Sequence, residues 1–532
     1  MPAIVTDQFR ILNASNFVES VSNANNSYYA FLGLPNPTVS GFGRSSTWND
    51  ENADITPYDN KQYLDFYKGT ILFGKKITSQ NVKRVIRKVS WTSNTSYDMY
   101  RHDYSRDNLS PNSNSARLYD SNYYVVNSDF RVYVCIDNGS SVDSPTGGKS
   151  KDEPTFTDLE PSVAGTSGDG YVWKYLFSVS PSDIIKFDST EYVVVPNDWG
   201  TSTDPQIQNI RESADSDINL NQIKKVYIDN RGNGYANGEK ECNILGDGSG
   251  AKVLVNVENS KIKSVKMISG GSGYTHGVVD LSPVTSGTPT TYAKLIPIIP
   301  PSKGHGYDIY SELGTDRVLV YARFDNSDSD FPTDTTFAQV GILKNPKVFS
   351  SNGSSNTSFT DNQFSSLYSI KLNVAEDETD IPTIGQKVTQ NLTGSNVTNG
   401  VAKGYVASYD RNTKVLKYFK DRSLYINNTT NDETDNDTVT ADSQVLDFSD
   451  LSADTTITVS DSNFSGTIDV AFGSSSPVSK DENNVNLGVS FSKGLANPEI
   501  NRKTGDIIYI DNRTSVKRDP RQKEDVKIIL EF

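Results

Sequence analysis

Cysteine and histidine are scarce in this 532-residue chain: two cysteines, Cys135 and Cys242, and three histidines, His102, His276 and His305. Two cysteines cannot build a disulfide framework, so the fold is expected to form in a reducing compartment and to depend on buried cores. Three dispersed histidines exclude His-pair zinc motifs and leave few candidates for an imidazole base. Long apolar runs are missing too. The longest, such as Leu295–Pro300, fall far short of the roughly 20 residues of a spanning helix. Met1–Asn16 holds no apolar segment with a small-residue cleavage site, so a signal peptide is not expected. Basic residues are in deficit, 51 Lys and Arg against 66 Asp and Glu for a net charge of −15. Such a chain has no net attraction to nucleic acid or to an anionic membrane surface, and neither nucleic-acid binding nor membrane insertion is expected.

What is present is aromatic and β-prone. Hydrophobic residues make up only 35 %, yet aromatics reach 10 % with 28 tyrosines, which suggests short strands, polar loops and amphipathic aromatic surfaces rather than disorder. At about 150 residues per domain, three or four domains are expected. Helical signals are few. Asn16–Val21 predicts one short helix with Asn16 as its cap. Val82, Val85, Ile86 and Val89 predict a second over Thr78–Val89, with Lys83, Arg84, Arg87 and Lys88 on a solvated basic face. Strand signals dominate elsewhere. Phe130, Val132, Val134 and Ile136 alternate with Arg131, Tyr133 and Cys135, the pattern of a half-buried strand. Tyr171–Val179 and Glu191–Val195 are β-branched or aromatic runs bounded by Gly and Pro, and Val318–Phe324, Phe337–Leu343, Asp506–Ile510 and Val526–Phe532 read as strands on the same grounds. The fold class is mainly β: a multi-domain antiparallel β-sandwich and small-barrel architecture with few short helices.

One internal repeat stands out. Ile223-Lys-Lys-Val226 leads into Gly232-Asn-Gly234-Tyr235, and Ile262-Lys-Ser-Val265 leads into Gly271-Ser-Gly273-Tyr274, a shift of 39 residues (223 to 262, 232 to 271). Glycines flanking a tyrosine suit a turn with positive φ whose ring covers the next strand. Between the copies Ala251–Val257 alternates, so 222–285 reads as a small β module of paired hairpins. A second segment, 375–480, opens on the acidic Glu376–Asp380 and carries strands at Gly385–Gln390, Val401–Tyr409 and Lys414–Phe419. Asp410–Thr413 forms the hairpin turn between the last two, and Asn427–Asp437 is a polar loop.

Motifs that could carry chemistry are weak. Pro145-Thr-Gly-Gly-Lys149-Ser150 ends like a phosphate loop, but Asp143 replaces the first glycine and Asp152-Glu-Pro154 follows in place of a helix, so a surface loop is expected. The glycine repeats have one residue too many for a dinucleotide fingerprint. Asp325–Asp330 and Asn431–Asp437 lack the glycine and glutamate of an EF-hand and read as solvated loops. Asp158 and Glu160 are a carboxylate pair of the kind 66 acids produce by chance. No nucleophile elbow is present, and both cysteines read as small strand residues. Catalytic, cofactor-binding and metal residues are all expected to be none.

The segment Gly168-Asp-Gly-Tyr-Val-Trp173-Lys-Tyr-Leu-Phe177, followed by Glu191-Tyr-Val-Val-Val-Pro196, closely resembles the gene-product-eight baseplate wedge subunits of T-even-like, contractile-tailed bacteriophages. Ala3–Thr6 with Phe9-Arg10 and Asn16-Phe17, Phe337–Ile342 with Asn345-Pro346, Gly505–Tyr509 with Asn512-Arg513, and Gln522–Phe532 agree in the same order; Tyr28–Trp48 is similar more loosely. The resemblance divides the chain into a wedge-family region 1–221 with short helices, an inserted glycine–tyrosine module 222–285, a wedge-family sandwich 286–374, an inserted small β domain 375–480 and completing strands 481–532. It implies a structural, non-enzymatic subunit without cofactor or metal. It further implies a homodimer that contacts other wedge subunits, links them during tail assembly and takes part in the rearrangement of contraction. The implied place is the virion tail baseplate, after assembly in the host bacterial cytoplasm. A tail adhesin or receptor-binding protein is the alternative. Within the Gly168–Phe177 stretch, Trp173 and Tyr175 are expected to fill a core rather than form an interface.

Overall fold

The computed structural model describes residues 5–34, 57, 59–215, 220–325, 336–350, 355–375, 379–394, 397–420, 447–451, 454–473, 478–480, 483–485, 489–518 and 522–532. Residues 326–330 of the first acidic loop, 376–378 of the acidic opening, 35–48 of the loosely similar region, and all of Asn427–Asp437 lie outside the described residues. Strand outweighs helix, 41 % to 13 %, and the architecture is several antiparallel sheets with a small six-stranded barrel. The fold class expected from alternation and turn chemistry is the one observed. The chain divides into two compact units: Met1–Val18, Lys83–Leu319 and Ile529–Phe532 in the first, Glu19–Val82 and Val320–Ile528 in the second.

The N-terminal helix runs Asp7–Ser22, so Asn16 sits inside it and is not its cap. Thr6 supplies the start, its hydroxyl accepting from the Phe9 amide at 3.3 Å, with Asp7 in the first turn favourable to the helix dipole. Ile11, Ala14, Phe17, Val18 and Val21 are buried at helical spacing. The apolar stripe thus begins well before Asn16.

The expected helix Thr78–Val89 is also corrected. Only Ser79–Asn81 turns, as a single 3-10 turn closed by the Thr78 amide donating to the Asn81 side chain at 3.1 Å. Val82–Arg87 is a strand, and Arg84–Arg87 pairs antiparallel with Val195–Tyr192. Val82, Val85 and Ile86 are β-branched and stiff at χ1, which favours the pleated ladder over a helix. The basic residues are not a solvated face. Lys83 pairs with Asp183 at 3.1 Å and Lys88 with Asp188 at 2.6 Å. The Arg84 guanidinium lies 4.1 Å over the Tyr310 ring, and Arg87 donates to the Ser121 carbonyl at 3.0 Å.

Two assemblies of the first unit matter for function. The aromatic sheet pairs Tyr124–Val126, Arg131–Asn138 and Tyr171–Ser178 in that order. Its middle strand is buried on both faces, Tyr133 and Cys135 as completely as Val132 and Val134, which corrects the half-buried expectation. The glycine–tyrosine module holds a four-stranded sheet in the order Lys261–Ser272, Ser249–Glu258, Gly238–Gly246, Gly277–Val279, and its strand Val226–Asn230 pairs with Lys294–Pro297 of the following segment in a two-stranded sheet. Ala251, Val253, Val255 and Val257 alternate inward as their spacing predicts, into a core that runs from Ile223 to Leu295. In each repeat the tyrosine packs back on its own turn. Gly232 and Gly271 take φ of +64° and +60°, and a Cβ on either would lie within 3 Å of the Tyr235 or Tyr274 ring respectively.

In the second unit, a five-stranded sheet runs Gln363–Phe364, Ile71–Ile77, Tyr28–Gly33, Thr336–Lys344, Asp506–Lys517. The barrel closes through Tyr368–Asn373, Val415–Phe419, Val397–Asp410, Lys387–Gly394, Thr456–Val459 and Ser465–Ile468. Its core gathers Ile370, Val388, Ala402, Val406, Leu416 and Ile457. The Asp410 turn forms as expected, its carboxylate accepting from the Asn412 amide at 2.9 Å.

Candidate functional site

In the first unit the aromatic sheet and the glycine–tyrosine module meet in a built joint. Tyr171 and Trp173 stack with centroids 5.4 Å apart, Tyr97 meets both edge-on, and Tyr133 meets Tyr175 at 5.6 Å. Aromatic pairs in such geometry add about 0.5–1.5 kcal/mol beyond area burial. The hydroxyls pin the loops around the sheet. Tyr171 Oη donates to the Gly148 carbonyl at 2.9 Å and accepts from the Tyr97 amide at 2.9 Å. Tyr133 donates to Phe156 O, Tyr123 to Glu312 O and Tyr124 to Arg87 O, at 2.6, 2.6 and 2.8 Å. Burial pushes the Tyr133 and Tyr119 phenols up to about 12. The tyrosines were expected on surfaces; most of the largest fully buried side chains are in fact tyrosines, with Trp173 and Trp199 among them. Trp173 and Tyr175 fill the core as expected.

The first repeat copy supplies three of the joint's cations. Lys224 pairs with Glu160 at 2.6 Å, Lys225 with Asp137, and Arg231 with Asp143 at 2.5 Å. The Val142 amide donates to the Ile228 carbonyl at 3.0 Å. Arg101 chelates Asp103 through two bonds of 2.8 and 2.6 Å and lies 4.2 Å over the Tyr227 ring. His102 Nδ1 accepts from the Ile299 amide at 3.2 Å, and desolvation lowers its pKa. The second copy differs: Lys263 turns back onto Glu258 of its own module. Sequence reading found the repeat but not this division of labour, because the partners Asp137 and Glu160 lie 88 and 64 residues away.

The chemically suggestive groups resolve into structure. Glu160 is held by Lys224, and Asp158 accepts from the Ser162 hydroxyl at 3.1 Å. In the Pro145–Ser150 loop the Gly148 and Ser150 amides donate to Asn138 O and Thr95 O, so they do not converge on an anion. Cys135 and Cys242 are buried strand residues; burial raises the Cys135 thiol well above its ordinary value and Cys242 to about 11. His305 Nδ1 meets Glu312 at 2.6 Å, the other Glu312 oxygen accepts from the Gly306 amide at 2.7 Å, and the Tyr100 ring lies edge-on to the imidazole at 4.8 Å. Nearby, burial lowers Lys174 to about 8 against the opposing pull of Glu160 and Glu312. The cavity beside Lys174 and His305 measures about 20 Å³, room for one water and no organic substrate. Among the described residues no group of three or more His, Cys, Asp or Glu is placed to hold a metal ion, and no helix is long and apolar enough to cross a membrane.

Two comparisons bear on the chain, and the one with a stated position falls on this part of the molecule. A family model described as bacteriophage T4 Gp8 matches residues 132–229. That stretch opens in the central strand of the aromatic sheet and ends on the strand that carries Tyr227. The baseplate wedge protein gp8 of Enterobacteria phage T4 is 28 % identical over 220 residues, 36 % of this chain and 60 % of that protein. The match therefore spans less than two thirds of the relative's length. The chain is similar to a baseplate protein of the gp8 kind over two of the three strands of the sheet and part of the joint just described, which agrees with the resemblance read from Gly168–Phe177 and Glu191–Pro196.

Proposed function

We propose that this chain is a structural subunit of a phage tail baseplate, part of the wedge. The observation that carries the reading is the match over 132–229, because it covers two of the three strands of the aromatic sheet and part of the joint. In this reading the subunit works by shape, as a homodimer that links neighbouring wedge proteins during assembly in the host cytoplasm and then resides in the virion tail. Packed β cores of this kind move as bodies rather than refold, so contraction would shift whole subunits at their interfaces. The five-segment division at 221, 285, 374 and 480 belongs to the same proposal, with the module 222–285 and the segment 375–480 as additions to a shorter wedge form. Neither match favours the adhesin alternative, and no catalytic step is part of the reading.

The test is a reconstruction of purified tail particles together with their protein inventory. The chain is expected in the baseplate at a fixed copy number per wedge. Particles that lack it would sink the proposal. Sedimentation of the isolated chain checks the homodimer, and a monomer at micromolar concentration would remove that part alone.

A further inference from the structure

The two copies of the glycine–tyrosine repeat share one geometry. Each is a strand, Val226–Asn230 or Lys261–Ser272, followed by a turn with positive φ at Gly232 and Gly234 or at Gly271 and Gly273, then a tyrosine and a second strand. The shift between them (226 to 265) carries the inward Val226 and Ile228 onto Val265 and Met267, all four against the module's core. It carries the outward Tyr227 and Asp229 onto Lys266 and Ile268. In the first copy the outward side is covered. Tyr227 is buried with the Arg101 guanidinium over its ring, Lys224 and Lys225 are held by Glu160 and Asp137, and the Ile228 carbonyl accepts from the Val142 amide. In the second copy the equivalent side lies open. Ile268 is 48 % exposed. Lys261 and Lys266 are exposed, and among the described residues neither is ion-paired, whereas Lys252 and Lys263 are matched by Glu241 and Glu258. Lys266 stands opposite Leu254 on the next strand. At the other edge of the same sheet Leu245 and Val278 form a cross-strand pair turned away from the core, 58 % and 66 % exposed. Outward positions of a sheet with one solvated face are ordinarily polar, and exposed aliphatic groupings mark interaction surfaces.

We infer that this outward side of the second copy is a docking face built on the plan of the first, and that it takes an acidic surface of a neighbouring wedge protein. The partner brings carboxylates because Lys261 and Lys266 are cations left without counterions in a chain of net charge −15, and because carboxylates are what the equivalent side of the first copy holds. Glu239, a further carboxylate of this side, lies across from Asn256, two strands away from the lysine edge. The partner is a different protein rather than a second copy of this chain, since a second copy would present Asp137, Asp143 and Glu160 already held by its own Lys225, Arg231 and Lys224. Ile268 and Leu254 supply the apolar contact between the charges, as aliphatic side chains do at the centre of an interface with a polar rim. The family match ends at residue 229, on the first copy, so it assigns nothing to the second. This inference rests on the assembly reading above.

The experiment compares lysine acetylation in the isolated full chain and in purified tail particles, read by mass spectrometry, and adds zero-length carbodiimide coupling of amines to carboxylates in the particle. Expected are loss of acetylation at Lys261 and Lys266 in the particle, and coupling of either to an Asp or Glu of another protein. Lys266 is exposed, so Lys266→Glu should keep the melting temperature of the isolated chain. It should lower incorporation into particles by about tenfold or more, since like charges facing across an interface oppose binding, while Lys266→Arg should be incorporated like the parent. Particles that hold the chain with both lysines acetylated as in the isolated chain, lysines coupled only to another copy of this chain, or undiminished incorporation of Lys266→Glu overturn this inference alone. Particles without the chain remove the assembly reading and this inference with it.

Discussion

Tyr171 is buried to its hydroxyl, and that hydroxyl serves two backbone groups, Gly148 O and the Tyr97 amide. Tyr171→Phe keeps the ring and strands both, so a loss of about 1–3 kcal/mol is expected, read by denaturant unfolding. The buried phenols also set the alkaline limit. Their folded pKa values are raised, to about 12 at Tyr119 and Tyr133, so their contribution is complete below the unfolded value of about 10 and is lost as pH climbs above it. Lys174 acts in the opposite sense. Its folded value is lowered to about 8, so its burial penalty is full below pH 8 and is relieved as pH rises toward the unfolded value of about 10.4. Stability measured against pH should therefore rise gently from about 8 to 10 and then collapse, with the tyrosinate absorbance of the buried phenols appearing only as the chain unfolds. Lys174→Met should reduce the rise, which Lys420, lowered by burial to about 7, shares, and leave the collapse. Glycine gives a paired test. Gly271 combines φ of +60° with a Cβ site 2.4 Å from the Ala251 amide and Ser249 carbonyl, so Gly271→Ala should cost more than about 1–3 kcal/mol. At Gly287 nothing lies within 4 Å of that site, and Gly287→Ala should melt like the parent.

At the scale of elements, the joint between aromatic sheet and module is tied by Lys225–Asp137, Lys224–Glu160 and Arg231–Asp143. The Lys225 and Asp137 side chains are about one-fifth exposed, enough shelter for a measurable coupling. A double-mutant cycle on Lys225→Ala and Asp137→Ala should return about 0.5–2 kcal/mol that shrinks with added salt; a value of zero would mean that the pair does not hold the module. Much of this architecture was legible in the residues. Alternation located 249–258, while β-branched and aromatic content, with Gly and Pro boundaries at 171–178 and 192–195, located those strands and 336–344. The strand Val82–Arg87 was misread because Val82, Val85 and Ile86 satisfy helical spacing while their β-branching favours a ladder. The helix Asp7–Ser22 was cut short because exposed Phe9 and Leu12 blur its buried stripe. Tyr133 was assigned to solvent because its polar tip hides a fully buried ring. Ion-pair partners distant in sequence leave no local signal at all, so the joint emerged only in three dimensions.

At the scale of the whole molecule, a net charge of −15 sets the conditions for self-association. Two such chains repel, and the repulsion is screened over about 8 Å at physiological ionic strength. If the chain forms the proposed homodimer, sedimentation should show dimerisation strengthening from low to physiological salt; weakening would indicate an interface dominated by opposite charges. The comparisons bear on only part of the chain, and the barrel of the second unit, which lies outside 132–229, is the region whose role the particle reconstruction would newly define.

The two thiols lie in different cores, Cys135 in the aromatic sheet and Cys242 in the module, each almost without exposure and each kept protonated by burial. Alkylating reagents can reach them only when their own core opens. Their labelling rates are thus two independent clocks, able to report, without any engineered probe, which half of the joint loosens first as the fold opens.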